Sequence, residues 1–327
     1  MKAAYYEEIG TAASVLQVKD IPTPEPLAGE VRVKVLWSGV NPSDCKSRAG
    51  LRSKIMPFPR VIPHSDGMGV VDALGAGVTS LKVGQRVWLW NAAWGRADGT
   101  ASEFICLPAQ QAVVLPDNVI DEAGACLGIP ALTAMHAVIM DGGVAGKTVL
   151  VAGGAGAVGH YAIQFASLLG ATKVIATVSS PEKAELAKAA GATDIVFYKT
   201  ENLVERVAAI TSGTGVDRII EMDIGANGAA DAEMLKLGGE CVTYGSGSTP
   251  FQLNFFPLIA KNLQFKFFIV YNLTAEDRAR ATSTLTDLLT KGKLIHNIAA
   301  RMPLADIAKA HELVESGKAI GNVVVQL

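Results

Sequence analysis

The chain is predicted to be an α/β protein: a small β-barrel joined to a doubly wound parallel sheet. Three observations predict this. The first third carries short strands punctuated by Gly and Pro. After Leu115-Pro116-Asp117 the texture changes, and helical patterns alternate with short apolar runs. One of those runs is followed at once by closely spaced glycines and an amphipathic helix.

Glu30-Val31-Arg32-Val33-Lys34-Val35 alternates strictly, as a half-buried strand does. Val83-Gly84-Gln85-Arg86-Val87-Trp88 and Glu103-Phe104-Ile105-Cys106-Leu107 read as two more strands of a compact barrel. The later apolar runs are Thr148–Ala152, Lys173–Val178, Asp194–Phe197, Arg218–Met222, Cys241–Tyr244 and Phe265–Val270. Strands alternating with helices argue for a parallel sheet covered on both faces. From about Thr274 the pattern gives two amphipathic helices and a last strand, Val323–Leu327, expected to return to the first domain. The expected domains are therefore 1–122 with 274–327, and 123–273. Internal repeats and low-complexity segments are absent.

A chain of 327 residues, half of them hydrophobic, can bury two large cores. Its net charge of −2 gives no indication of nucleic acid or an anionic membrane as partner. The first residues, Met1-Lys2-Ala3-Ala4-Tyr5-Tyr6-Glu7-Glu8, lack the apolar run of a signal peptide. No stretch is long and apolar enough to span a bilayer. Cys45, Cys106, Cys126 and Cys241 lie far apart with no C-x-x-C pair, and read as reduced, mostly buried thiols of a cytoplasmic protein.

The glycines spell G-x-G-x-x-G at Gly154, Gly156 and Gly159, between the strand Val149-Leu150-Val151 and the helix that begins near Ala157. Such a spacing makes a dinucleotide site. Gly154 permits the tight turn, Gly156 lets a pyrophosphate approach the backbone, and Gly159 lets the helix lie close to the strand. In NAD sites an acid near the end of the second strand binds the ribose 2′-OH. Here Val174–Val178 ends in Ser179-Ser180-Pro181-Glu182-Lys183. Hydroxyls and a lysine can donate to a 2′-phosphate that an Asp would repel, which favours NADPH. The plainer reading is a helix start, with Ser180 as N-cap, Pro181 at N1 and Lys183 in solvent.

The five histidines are scattered, and none stands at metal-ligand spacing to a Cys or Glu. His64 near Asp66 reads as structural. Gly146-Lys147-Thr148 mimics the end of a P-loop but precedes its strand, and Asp141 occupies the first glycine position. No G-x-S-x-G elbow is present. The chemistry therefore rests on the cofactor.

The chain resembles the zinc-free quinone oxidoreductases, the zeta-crystallin branch of the medium-chain dehydrogenase/reductase superfamily, over essentially its whole length. Gly39-Val40-Asn41-Pro42-Ser43-Asp44, Ser65-Asp66-Gly67-Met68-Gly69-Val70-Val71 and Leu132-Thr133-Ala134 carry the resemblance. Ala152–Gly159, Ser180-Pro181-Glu182-Lys183, Ala190-Gly191-Ala192 with Tyr198, and Ile219-Ile220-Glu221-Met222 continue it. Where zinc dehydrogenases of the superfamily place a Cys and a His ligand, this chain has Asn41 and Ser65. The four-cysteine structural-zinc lobe is also absent. The resemblance implies a GroES-like barrel, a Rossmann domain, and a cleft between them for NADPH and substrate. It implies Gly156, Ala157 and Val158 at the pyrophosphate, and Ser179, Ser180, Lys183 and Tyr198 around the 2′-phosphate. Asn41, Thr133, Tyr244 and Gly245 would lie near the nicotinamide. Relatives often have tyrosines at the places of Lys46, Arg52 and Met135, and a basic residue at Asn322. The pocket is expected to be less aromatic and more basic here.

Hydride addition to a quinone gives a delocalised phenolate-type anion, so positioning is the main requirement and a Lewis acid is dispensable. Asn41 is the candidate hydrogen-bond donor to the quinone oxygen, and Asp44 the group that orients the loop or relays a proton. Against this stands a plain turn into a helix with Ser43 or Asp44 as its cap. Trp88, Trp90 and Trp94 either line an aromatic entrance or pack a loop. The expected activity is NADPH:quinone reduction without metal. The alternatives are an NADPH-dependent enone or alkenal reductase and a non-catalytic, crystallin-like NADPH-binding protein. Leu263–Val270 reads as an uncovered sheet edge, which with the resemblance implies a homodimer, and tetramers in some relatives.

Overall fold

The computed structural model describes all 327 residues. In chain order the first strands are β1 (Lys2–Tyr5), β2 (Gln17–Asp20), β3 (Glu30–Val40), β4 (Asp66–Leu74), β5 (Arg86–Leu89), β6 (Phe104–Pro108) and β7 (Ala112–Val114). Then come β8 (Thr148–Val151), β9 (Lys173–Val178), β10 (Asp194–Phe197), β11 (Val216–Glu221), β12 (Leu235–Thr243) and β13 (Gln264–Phe267). The last two are β14 (Ile298–Pro303) and β15 (Asn322–Gln326). The chain divides into two compact units, Met1–Ile129 with Thr286–Leu327, and Pro130–Leu285. These divisions fall later than the expected 122 and 274. Glu122 pairs with Arg301 at 2.9 Å, and Asn118 donates to the Leu289 carbonyl at 2.8 Å. Those bonds tie residues 118 and 122 to the C-terminal part of the same unit.

In the barrel unit one sheet runs β14-β15-β3-β4-β5-β7, with β6 paired to the first half of β3. The alternation in β3 does what its period dictates. Val31, Val33 and Val35 point into a core with Val71, Val87, Leu89, Ile105 and Leu107, while Arg32 turns out to Asp72 at 2.6 Å. Residues 83–85 are not strand. Gly84 sits at φ +89°, so the chain turns there and pairing begins at Arg86. The tail lies in this unit from Thr286 on, while residues 274–285, expected with it, group with the second unit; β15 pairs antiparallel with Val40–Trp37 of β3. Between its helices, Ala275–Thr290 and Ile307–Glu315, the sequence reading missed β14. That strand is only half-buried at Ile298, Ala300 and Met302, so its apolar signal is weak.

The second unit is a six-stranded sheet in the order β10-β9-β8-β11-β12-β13, parallel throughout. Leu150, Ile175, Val196, Ile219 and Cys241 form its core with Val207 and Ile224 from the covering helices. β12 begins six residues before Cys241, where Lys236-Leu237-Gly238-Gly239 breaks the apolar run and a register shift interrupts the pairing. β13 stops at Phe267, and Val270–Asn272 is a 3₁₀ turn. The order reverses at β8, whose neighbours are β9 and β11. That switch point is where open parallel sheets present ligand-binding turns.

Candidate active site

The glycine turn follows β8. Gly153, not Gly154, takes the left-handed backbone conformation, at φ +67°. Gly154 has a different reason to be glycine: a Cβ there would stand 2.8 Å from Ile163 Cδ1 and 2.9 Å from Ala176 Cβ. At Gly159 a Cβ would meet the Gly153 carbonyl oxygen at 2.3 Å, so the helix Ala157–Leu168 lies directly on the turn. Gly156 is the N-cap and supplies no side-chain cap. A Cβ at Gly156 would meet only Gly153 O, at 3.2 Å. The first-turn amides of Ala157, Val158 and Gly159 are thus left without a side-chain acceptor, beside an open backbone face. Thr177 braces the turn, accepting from Gly153 N at 3.1 Å and Gly154 N at 3.0 Å. The arrangement fits a pyrophosphate.

Beyond β9, Ser180 caps the helix Pro181–Ala189, accepting from Lys183 N at 3.4 Å. The plain capping reading is therefore correct for its oxygen, and its O–H is left over as a donor. Lys183 is half-buried and its ammonium has no carboxylate partner. Val178 pairs with Phe197, so Ser179 and Tyr198 leave adjacent strand ends side by side. Tyr198 is 46 % exposed and lines a cavity of about 210 Å³ with Gly153, Thr177, Met222, Asp223 and Asn227. Tyr244 and Gly245 follow β12. Tyr244 N donates to Glu221 O at 3.0 Å, and a Cβ on Gly245 would meet Met222 O at 2.3 Å. Thr133 is buried on the helix Leu132–Ile139.

The same cavity is lined by Glu221, quoted in the sequence only as part of the Ile219–Met222 segment and given no role, and by Asp231, which the sequence did not single out. Both are fully buried, and burial first, then the Glu221 charge, pushes Asp231 up to about 9. Two carboxyls in that position share one proton. Glu221 Oε1 also accepts from Asn227 Nδ2 at 3.0 Å.

In the barrel unit Asn41 is the N-cap of the helix Pro42–Arg48, with Pro42 at N1. Asp44 Oδ2 accepts from Asn41 N at 2.8 Å, the reciprocal half of a capping box. Asn41 Nδ2 donates to Asp66 Oδ2 at 2.8 Å. Burial dominates both acids, pushing Asp44 up to about 7 and Asp66 well above the usual carboxylate range. The sequence reading did not connect Asn41 with Asp66. His64 does not face Asp66; its ring nitrogens meet Ser38 and His311.

Three other expectations change. Trp88 is wholly buried in β5, so only Trp90 and Trp94 of that loop reach the surface. Met135 is core, at 0 % exposure, because its helix is buried on nearly every side. Asn322 is buried on β15 and donates to Asn297 O at 3.1 Å. Lys46 and Arg52 are exposed.

Residues 27–117 match the alcohol dehydrogenase GroES-like domain, and residues 157–289 match the zinc-binding dehydrogenase family. A quinone oxidoreductase of Pseudomonas aeruginosa is 31 % identical over 319 residues, 95 % of each chain. The chain belongs to the quinone oxidoreductase family. Its fold is that of the medium-chain dehydrogenase/reductase superfamily, a GroES-like domain with a Rossmann parallel sheet. The Escherichia coli quinone oxidoreductase complexed with NADPH superposes with TM-score 0.88 at 28 % identity, covering all of both chains. An NAD-dependent alcohol dehydrogenase superposes with TM-score 0.91 at 29 % identity, again over all of both chains. In this quinone oxidoreductase relative the donor set does not fit zinc: no three His, Cys, Asp or Glu side chains stand close enough together to hold a metal ion. No helix is long and apolar enough to cross a membrane.

Proposed function

We propose that the chain is an NADPH-dependent quinone reductase that works without a metal, with Asn41 donating a hydrogen bond to the substrate oxygen. The observation that carries this reading is the buried Asn41 carboxamide, held by Asp66 where zinc relatives place a metal ligand. A carboxamide nitrogen has two hydrogens. Asp66 takes one at 2.8 Å, and the other, for which the Asp44 carboxyl competes, would be offered to a substrate oxygen. Asp66 fixes the orientation of the amide, and a hydrogen bond from Asn41 strengthens as charge grows on the quinone oxygen. Asp44 orients the loop by holding the Asn41 backbone N–H.

Bound NADPH supplies the hydride and the protein supplies its place. The Gly156, Ala157 and Val158 backbone would hold the pyrophosphate. Ser179, Ser180, Lys183 and Tyr198 would hold the 2′-phosphate, while Thr133, Tyr244 and Gly245 would flank the nicotinamide. β13 is the edge of its sheet, and Phe267 there is 57 % exposed. Phe255 and Phe256 on the preceding helix are 71 % and 77 % exposed. Pairing through this edge in a homodimer would cover them.

The test is NADPH oxidation by chelator-treated enzyme, with 1,2-naphthoquinone against an enone. Fast turnover of the quinone with no dependence on added zinc supports the reading. Faster enone turnover makes the chain a double-bond reductase, and turnover of neither makes it a binding protein.

A further inference from the structure

The barrel unit contains a buried row of polar side chains that ends on the backbone of Asp66. His311 Nε2 stands 2.9 Å from His64 Nε2, and His64 Nδ1 stands 2.7 Å from Ser38 Oγ. Ser38 Oγ is 2.7 Å from Thr100 Oγ1, which donates to the Asp66 carbonyl. Ser38, His64, Thr100 and His311 are all at 0 % exposure. The imidazole planes differ by 24° with centroids 5.1 Å apart, which suits an in-plane N–H···N bond between ring edges.

The proton positions follow from one end. A carbonyl can only accept, so the Thr100 hydrogen is spent on Asp66 O. Thr100 must then accept from Ser38, and Ser38, its hydrogen used, must accept from His64 Nδ1–H. Burial holds both rings neutral, with the Arg48 charge further disfavouring a proton on His311. His64 Nε2 is therefore bare and accepts from His311 Nε2–H. His311 Nδ1 is left as a bare acceptor, and it is the one nitrogen of the pair with no hydrogen-bond partner. The row cannot reverse, because its last atom has no hydrogen to give.

His64 occupies left-handed backbone, φ +77°, where glycine would be unstrained. A ring kept there at that cost is explained by what it holds. Thr100 N also donates to His64 O at 3.0 Å, so Thr100 holds the segment His64–Asp66 at both of its ends. Asp66 opens β4, and its carboxyl receives the Asn41 amide. We propose that His64 and His311 are positioning residues for Asn41, acting through Ser38, Thr100 and Asp66 as a one-directional chain of hydrogen bonds. The proposal rests on the reading of Asn41 given above.

Asparagine suits left-handed backbone, and its Nδ2 can replace the Nδ1–H donor of His64. Glycine suits the backbone and has no donor. His64→Gly is expected to lower kcat about tenfold, with the KM for NADPH unchanged, and His64→Asn to recover to within about twofold. Combined with Asn41→Ala, His64→Gly should lower kcat no further, because the two act as one unit. Nitrogen-15 NMR of the wild type, with the signals of His64 and His311 assigned apart from those of the other buried histidines, His136 and His160, should show His64 protonated at Nδ1 and His311 at Nε2, a result independent of how any variant folds. Equal losses in His64→Gly and His64→Asn, additive losses with Asn41→Ala, or two identical tautomers overturn the proposal. If Asn41→Ala alone leaves kcat unchanged while the two tautomers appear, the reading of Asn41 has failed and the positioning role with it.

Discussion

Asn41 gives its side-chain N–H to Asp66 Oδ2 and its backbone N–H to Asp44 Oδ2, each over 2.8 Å. One asparagine thus ties the end of β3 to the start of β4 and to the first turn of the helix Pro42–Arg48. Both acceptors are buried acids, and that makes their protonation a stability matter as well as a catalytic one.

Asp44 is pushed up to about 7 by burial, more than its hydrogen bond to Asn41 N and the Arg52 charge can offset. A raised carboxyl favours the protonated folded state. Its contribution is fully present below the unfolded value of about 3.9 and is lost as pH rises through the folded value. Asp44→Asn should therefore become steadily more stable than wild type between about pH 4 and pH 7, with a constant difference above. Urea unfolding across that range measures it; a flat difference would show that Asp44 is not the buried acid described.

Glu240 behaves in the opposite sense. Despite partial desolvation, Lys266 at 2.7 Å, Arg218 at 2.8 Å and Lys147 at 3.1 Å hold it down at about 2. Arg218 is wholly buried and also donates to the carbonyls of Ala137, Val138 and Met140. Stability from Glu240 is present above an unfolded value near 4.3 and is lost as pH falls toward 2. Glu240→Ala leaves the guanidinium unpaired and should cost about 3–5 kcal/mol. Replacing Glu240 and the buried Arg218 together with apolar residues should cost less, and thermal unfolding compares the two variants.

Lys183 lacks a carboxylate of its own beside the Ser179-Ser180 end of β9. Losing a charge-assisted contact to the 2′-phosphate is worth about 1.5–3 kcal/mol, roughly ten- to hundredfold in affinity. Lys183→Ala should raise the KM for NADPH by that factor and barely change that for NADH. Equal effects on both cofactors would leave Lys183 a helix residue.

The exposed Phe255, Phe256 and Phe267 at the β13 edge call for a mass measurement. Light scattering should give a dimer, and Phe256→Glu, at 77 % exposure, should weaken it without unfolding the chain. A monomer at micromolar concentration contradicts pairing through this edge.

Much of the fold was legible because its signals are local. Val31, Val33 and Val35 share a period of two, and the strand–glycine–helix junction at 149–159 lies within eleven residues. All four cysteines are free, and all but Cys106 are buried, as their spacing suggested. What was illegible depends on register between distant segments. Asp66 meets Asn41 only because Gly39 pairs with Asp66 across β3 and β4. His64 and His311 are 247 residues apart, and nothing at either position announces the other. The division of labour between Gly153 and Gly154 was hidden for another reason: the motif marks where glycine is needed, while φ and neighbouring atoms decide why.

The central claim is that a buried amide, not a metal, meets the charge formed on the substrate. It is tested most directly by kcat for NADPH oxidation with 1,2-naphthoquinone in Asn41→Ala, with NADPH affinity measured in parallel. The account predicts a fall in kcat larger than any rise in KM, worth about 1–3 kcal/mol of transition-state stabilisation, with NADPH binding intact. An unchanged kcat with intact NADPH binding, or activity that returns only with added zinc, would contradict it.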